Sequence, residues 1–242
     1  MKTPTQNGFT LIEMAAVLMI VGLLLGGLLV PLSAQMDQRK NSETQKALEE
    51  IKDALIGYTI ANGRLPWPAC GTIATGQANA GIELSPASDA LCTTSPNVLP
   101  WAALGINETD AWGNRYTYRV TDDFADDNGT TNCTTPAPPQ AAFALCSAGN
   151  LNVMSATSGV VATVAGNVPA VIISHGKNAA GAYTTQGTQL AVGNNPDEKE
   201  NSDGSTNNKY VSHTPTPTFD DLVVWISPNV LFNRMVTAGK LP

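Results

Sequence analysis

Three groups of residues have the chemistry to do something unusual, and the first is a single carboxylate. Glu13 lies inside "GFTLIEMAAVLMIVGLLLGGLLV", residues 8–30, a run with no basic residue. A charged carboxylate at the centre of a bilayer costs roughly 2.5–3.5 kcal/mol on insertion scales, so such groups are rare and have partners. The second group is Ser174, His175 and Lys177 in "SHGKNAAGAY". Neighbours on a strand point to opposite faces, so a strand end followed by a glycine turn is the better reading than a catalytic cluster. The third is four cysteines, Cys70, Cys92, Cys133 and Cys146, with no Cys-x-x-Cys and only two histidines. That set does not make a zinc site. An even count in an exported domain reads as disulfides, with three possible connectivities. Cys70–Cys92 and Cys133–Cys146 are favoured because each closes a local Gly/Pro/Thr-rich loop.

The elements that would position these groups follow from periodicity. The apolar run is long enough to cross a bilayer as a helix, for which about 20 residues suffice. It is too long, and has too little basic charge before it, for an ordinary secretory signal. Pro31 is expected to kink or break the helix. Helical pattern then resumes, with Leu48, Ile51, Leu55 and Tyr58 on one stripe, and stops near Asn62-Gly63 ahead of Pro66 and Pro68. A helix from Phe9 to about Ala61 would be roughly 80 Å long. Two Leu-Pro-Trp repeats, at 65–67 and 99–101, read as unrelated proline turns with buried tryptophans. Strands are expected at Tyr116–Val120, Ala141–Cys146, Leu151–Ala156, Val168–Ser174 and Leu222–Ile226. With no helices alternating between them, an antiparallel sheet is favoured. Ser227-Pro228 opens a short terminal helix that closes at Gly239.

Glu13 acquires a meaning from what surrounds it. Lys2 followed by Gly8-Phe9-Thr10-Leu11-Ile12-Glu13 resembles the processing segment of type IV prepilins and type II secretion pseudopilins. The resemblance implies cleavage between Gly8 and Phe9 by a membrane peptidase and N-methylation of Phe9. It also implies an assembly role for Glu13, paired with the amino terminus of a neighbouring subunit where opposite charges attract strongly. Gly22 and Gly26 form a small-x-x-x-small face suited to close helix approach. "DAWGNRYTYRV", residues 110–120, is similar to the Asp-Pro-Trp-Gly-x-x-Tyr-x-Tyr segment of major pseudopilins, with Ala111 in place of proline.

The implied fold is α+β: a long N-terminal helix, membrane-spanning in its first half, packed on an antiparallel sheet with long disulfide-stapled loops. The implied organisation is a leader (1–8), an assembly helix (9–31), an amphipathic helix (32–62) and an extracytoplasmic β domain (63–242). In major pseudopilins an acidic loop before the last strands holds calcium. The corresponding loop here, Gly176 to Phe219, carries Asp197, Glu198, Glu200 and Asp203 and leads into Asp220-Asp221. By the resemblance, Asp197, Asp203, Asp220 and Asp221 are the candidate calcium ligands. Neither acidic stretch fits the EF-hand template: aligning Gly129 or Gly204 with its glycine puts Phe124 or Lys199 at the first ligand position.

With 242 residues and a net charge of −7 the chain has no basic patch, which argues against nucleic acid. No serine-hydrolase elbow, P-loop or metalloprotease helix occurs, so no enzyme and no organic cofactor is expected. The implied partners are a prepilin peptidase and methyltransferase, other pilins or pseudopilins, an inner-membrane assembly platform and membrane lipid. The implied location is the inner membrane, single-pass, with the C-terminal domain in the periplasm or, in a pilus, at the cell surface. The expected function is thus a structural subunit of a secretion pseudopilus or type IV pilus. The alternative is an adhesin or substrate-binding module on the same anchor.

Overall fold

The computed structural model describes residues 8–85, 92, 97–126, 141–202 and 207–242; within them, the side chains of 25–32 are not described. Its first element, α1, is a continuous helix over Leu11–Asn62. The break expected at Pro31 is absent: helix runs through it. A proline removes one backbone donor, and the turns on either side carry the helix across. The chain divides into two compact units, residues 1–42 and 43–242. In the first, the apolar side chains from Phe9 to Leu24 are exposed.

In the second unit the last five turns of α1 become a core element. Leu48, Ile51 and Leu55 are buried, and the stripe continues through Thr59, whose hydroxyl donates to the Leu55 carbonyl, not through Tyr58. Tyr58 flanks the stripe and donates to Glu83 at 2.6 Å. Gly63, at φ +77°, ends the helix, its N–H returning to the Thr59 carbonyl.

Against this stripe lies a three-stranded antiparallel sheet. It is built from β2 (Thr117–Val120), β5 (Ala170–Ser174) and β8 (Leu222–Ile226), ordered β2-β5-β8. All five residues of β5 are buried. Ala170 and Ile172 face Leu48, Leu55 and the terminal helix α5 (Pro228–Thr237). Val171 and Ile173 face a second sheet, β4 (Thr163–Val168), β3 (Leu151–Met154) and β7 (Lys209–Val211). Burial on both faces explains the unbroken "AVII" run. The layers are therefore helix, sheet, sheet. Short elements complete the unit: β1 (Asn114–Arg115), β6 (Tyr183–Thr184), α2 (Trp101–Leu104), α3 (Asp122–Ala125) and α4 (Pro196–Ser202).

Several expectations are corrected. Residues 141–146 form bends and turns, not a strand. Phe143 is drawn into an aromatic cluster with Phe124 and Phe232 at 4.8 and 6.0 Å, so burial won over ladder pairing. The sheet on α1 is antiparallel as expected, and only in the second sheet does β7 run parallel to β3. Val168 belongs to β4, an exposed hairpin strand that the sequence reading missed, and Pro169 separates it from β5. The two Leu-Pro-Trp turns are neighbours: Ala69, just after the first, bridges Val98, just before the second. Cys70 and Cys92 form a disulfide. Cys146 is also disulfide-bonded, while Cys133 lies outside the described residues.

Candidate functional site

The amino-terminal site is built by the first turn of α1. Thr10 is the residue before the helix and Glu13 the third residue within it. The Glu13 Oε2 accepts from the Thr10 N–H at 2.8 Å and from its hydroxyl at 2.7 Å. The Thr10 Oγ1 in turn accepts from the Glu13 N–H at 3.3 Å. This is a reciprocal capping box, which satisfies two otherwise orphaned groups at a helix start. The Thr-x-x-Glu spacing was available as a signal for it. Gly8 and Phe9 precede the helix, and Phe9 is 84% exposed. The Gly8–Phe9 peptide bond is thus presented outside the helix, and breaking it leaves the Thr10 amide, and hence the cap, intact. The cap uses Oε2, and among the described residues no partner is seen for Oε1.

Residues 3–29 match the prokaryotic N-terminal methylation motif. The motif is typical of type IV pilins and pseudopilins. It implies processing by a prepilin peptidase, anchoring of the N-terminal segment in the inner membrane before assembly, and assembly with other pilins. Among the described residues no helix is long and apolar enough to cross a membrane. The later part of the apolar run falls within residues 25–32, whose side chains, and with them Gly26, lie outside that description. A Cβ added at Gly22 would meet nothing within 4 Å, so that helix face is open. Comparisons with curated proteins and with solved structures give no match.

A second site lies where β5 ends. Glu198 on α4 and Asp220 and Asp221 before β8 each bring a carboxylate oxygen within 4.8 Å of the others. Gly176, at φ +58°, makes the approach possible, since a Cβ there would sit 2.3 Å from the Asp220 carbonyl. Asp220 Oδ2 accepts from the Lys177 and Asn178 N–H groups at 2.9 and 3.0 Å. Glu198 Oε1 accepts from the Asn178 side chain and the Asp220 N–H. Asp221 Oδ2 accepts from Asn201 at 2.7 Å. Asp220 Oδ1 and Asp221 Oδ1 are buried without a hydrogen-bond partner among the described residues. Burial raises the Asp220 and Glu198 carboxyls, and repulsion from Asp221 adds to the rise against their hydrogen bonds. Converging anionic oxygens with orphaned lone pairs fit a hard cation such as calcium.

Of the expected ligands, Asp220 and Asp221 are brought together, joined by Glu198. Asp197 points elsewhere: its Oδ1 accepts from the Thr157 N–H and hydroxyl, and its Oδ2 lies 3.2 Å from His213 Nε2. Burial works to raise the Asp197 carboxyl, but those hydrogen bonds and His213 hold it below its ordinary value. Asp203 lies outside the described residues.

Beneath the cluster, His175 is fully buried. Its Nε2 is 2.8 Å from the Thr117 hydroxyl and its Nδ1 is 3.6 Å from Asp221 Oδ1. Ser174 turns instead to Asp110 Oδ2 at 2.6 Å. The Thr117–His175–Asp221 line has the order of a nucleophile, a base and an orienting acid. But Thr117 and His175 are buried, and the His175–Asp221 approach is too long for a hydrogen bond, so the line is not a working catalytic relay. Arg115, which no sequence signal marked, is equally buried. It donates to the Gly71, Ile73 and Thr185 carbonyls and pairs with Glu108 at 2.8 Å.

Proposed function

We propose that this chain is a structural, filament-forming subunit, a pseudopilin or minor pilin. It is cut between Gly8 and Phe9, methylated on Phe9, and assembled through its N-terminal helix. The observation that carries this reading is the methylation motif over residues 3–29, with Glu13 and its cap at the start of an exposed apolar helix. Once cut, Phe9 bears an α-amino group. The free Oε1 of a neighbour's Glu13 is the complementary charge, and attraction between the two is strongest where water is excluded. The domain is carried on the far side of the inner membrane, as its disulfide chemistry suits an oxidising compartment.

The acidic site completes the proposal. Glu198, Asp220 and Asp221 hold a calcium ion that neutralises their mutual repulsion and ties α4 to the start of β8. The bound ion supplies charge balance and rigidity.

Expression beside a pilus- or secretion-type assembly machinery tests the main reading. Wild-type protein is expected in a sedimentable polymer or in complex with other pilin-like subunits. Glu13→Gln keeps the size and loses the charge; it is expected to be cleaved normally and to stay in the membrane unassembled. Equal assembly of the two would remove Glu13 from the mechanism.

A further inference from the structure

Strand edges in this domain are closed with one instructive exception in each main sheet. The outer edge of β2 is covered by Val98 and by the bond from the Tyr118 N–H to the Asn97 carbonyl. The small strands β1 and β6 are bridged by Thr109 and Gln189. The outer edge of β7 is closed by a side chain: Asn201 accepts from the Val211 N–H at 2.7 Å and donates to its carbonyl at 3.0 Å, as a neighbouring strand would. Among the described residues, the outer edges of β4 and β8 have no such partner. An open strand edge is a ready template for pairing, which natural proteins blunt with charge, proline or a cover.

The β4 edge is not blunted by charge. From Leu151 through Ser174 there is no charged residue, in a chain of net charge −7. The β3–β4 hairpin displays Val160, 98% exposed, with Val161 and Val164 also exposed. The β8 edge borders a groove of about 340 Å³ lined by Ile56, Val224, Trp225 and Val230, with Glu49 and Lys52. One edge is thus an uncharged strand of six residues, and the other, of five, borders a groove whose lining is mostly apolar with one charge of each sign.

We propose that β4 of one copy adds to the β8 edge of a second copy, seating the hairpin valines in the groove. The occupant is another copy of this chain because the two features are complementary and both belong to it. Copies of an acidic chain repel except where charge is absent, and β4 is such a place. The contact joins two different surfaces, so it is heterologous and can propagate along a polymer where its rotation does not close a ring. This direction rests on the filament reading above.

The test uses two differently tagged full-length copies, one carrying Val164→Cys and the other Val224→Cys. They are co-expressed with the assembly machinery and, separately, mixed as purified protein in detergent, then treated with an oxidant. The mixed pair should give cross-linked heterodimer at roughly tenfold the yield of either variant alone, and adding Val160→Lys to the first copy should lower it by a similar factor. Homodimer of Val164→Cys as the main product, or no mixed cross-link in either setting, would overturn the pairing. N-terminal cleavage and sedimentation are read from the same cells. Cleaved, sedimenting protein without the cross-link refutes the edge pairing alone; a detergent cross-link in uncleaved, unassembled protein refutes the filament reading alone.

Discussion

Two carboxylate sites in this molecule solve opposite problems. Glu13 is exposed on an apolar helix, with one oxygen in a cap and the other without a partner among the described residues. Asp221 is buried among carboxylates and also half satisfied, one oxygen on Asn201 and the other orphaned. At the helix start nothing basic lies along the run, and on the proposed reading the partner charge is a neighbouring subunit's amino terminus. At the end of β5 it can come from an ion, because three acids converge from two segments. On the proposed reading, the same chemical group serves assembly in one region and local stability in the other.

The sharpest way to break that contrast is to make the same isosteric change in both. Glu13→Gln should abolish assembly and leave the melting temperature of the domain unchanged. Asp221→Asn should leave cleavage after Gly8 unchanged and alter the melting temperature. Thermal melts and N-terminal peptide masses of both variants decide this, and a Glu13→Gln domain that melts early would merge the two roles.

A smaller effect separates the cation from the carboxylates. Calcium at about a hundredfold excess over its Kd should stabilise the folded protein by about 2.7 kcal/mol. Calorimetry should show the shift in wild type and none in Asp221→Asn. A wild-type melt that ignores calcium would leave the orphaned oxygens to another explanation.

The pH dependence carries the sign. Asp220 and Glu198 have raised folded pKa values, so their contribution is present below the unfolded carboxylate pKa and is lost as pH rises through the folded value. Calcium should cancel that loss. Asp197, held low, behaves in the opposite way: its contribution is present above the unfolded pKa and is lost as pH falls through the folded one. Melts from acid to neutral pH, with and without calcium, should therefore diverge only on the neutral side. Smallest is the cap itself: Thr10→Val should cost the helix start about 1 kcal/mol, read as fraying by amide exchange, while Thr10→Ser should restore it.

Much of the fold was legible because local pattern and tertiary demand agree. The stripe at Leu48, Ile51 and Leu55, the strand at Leu222–Ile226 and the helix opened by Pro228 each have one period and one burial face. What failed was decided by distant partners. Phe143 left a strand-like run for an aromatic cluster, and β4 was invisible because its residues are mostly exposed and small. The methylation motif was legible because its signal is sequential. The acidic site was only half so: Asp220 and Asp221 lie next to β8, but whether Asp197 or Glu198 joins them depends on the rotation of α4, a helix of about two turns that periodicity cannot set.

One measurement bears most directly on the central claim, that the chain is processed into a structural subunit. It is the mass of the N-terminal peptide from protein made in cells with an active prepilin peptidase. The account predicts a peptide that begins at Phe9 and carries a methyl group on its amino nitrogen. A peptide that still begins at Met1, or one that begins beyond the apolar run, would contradict it.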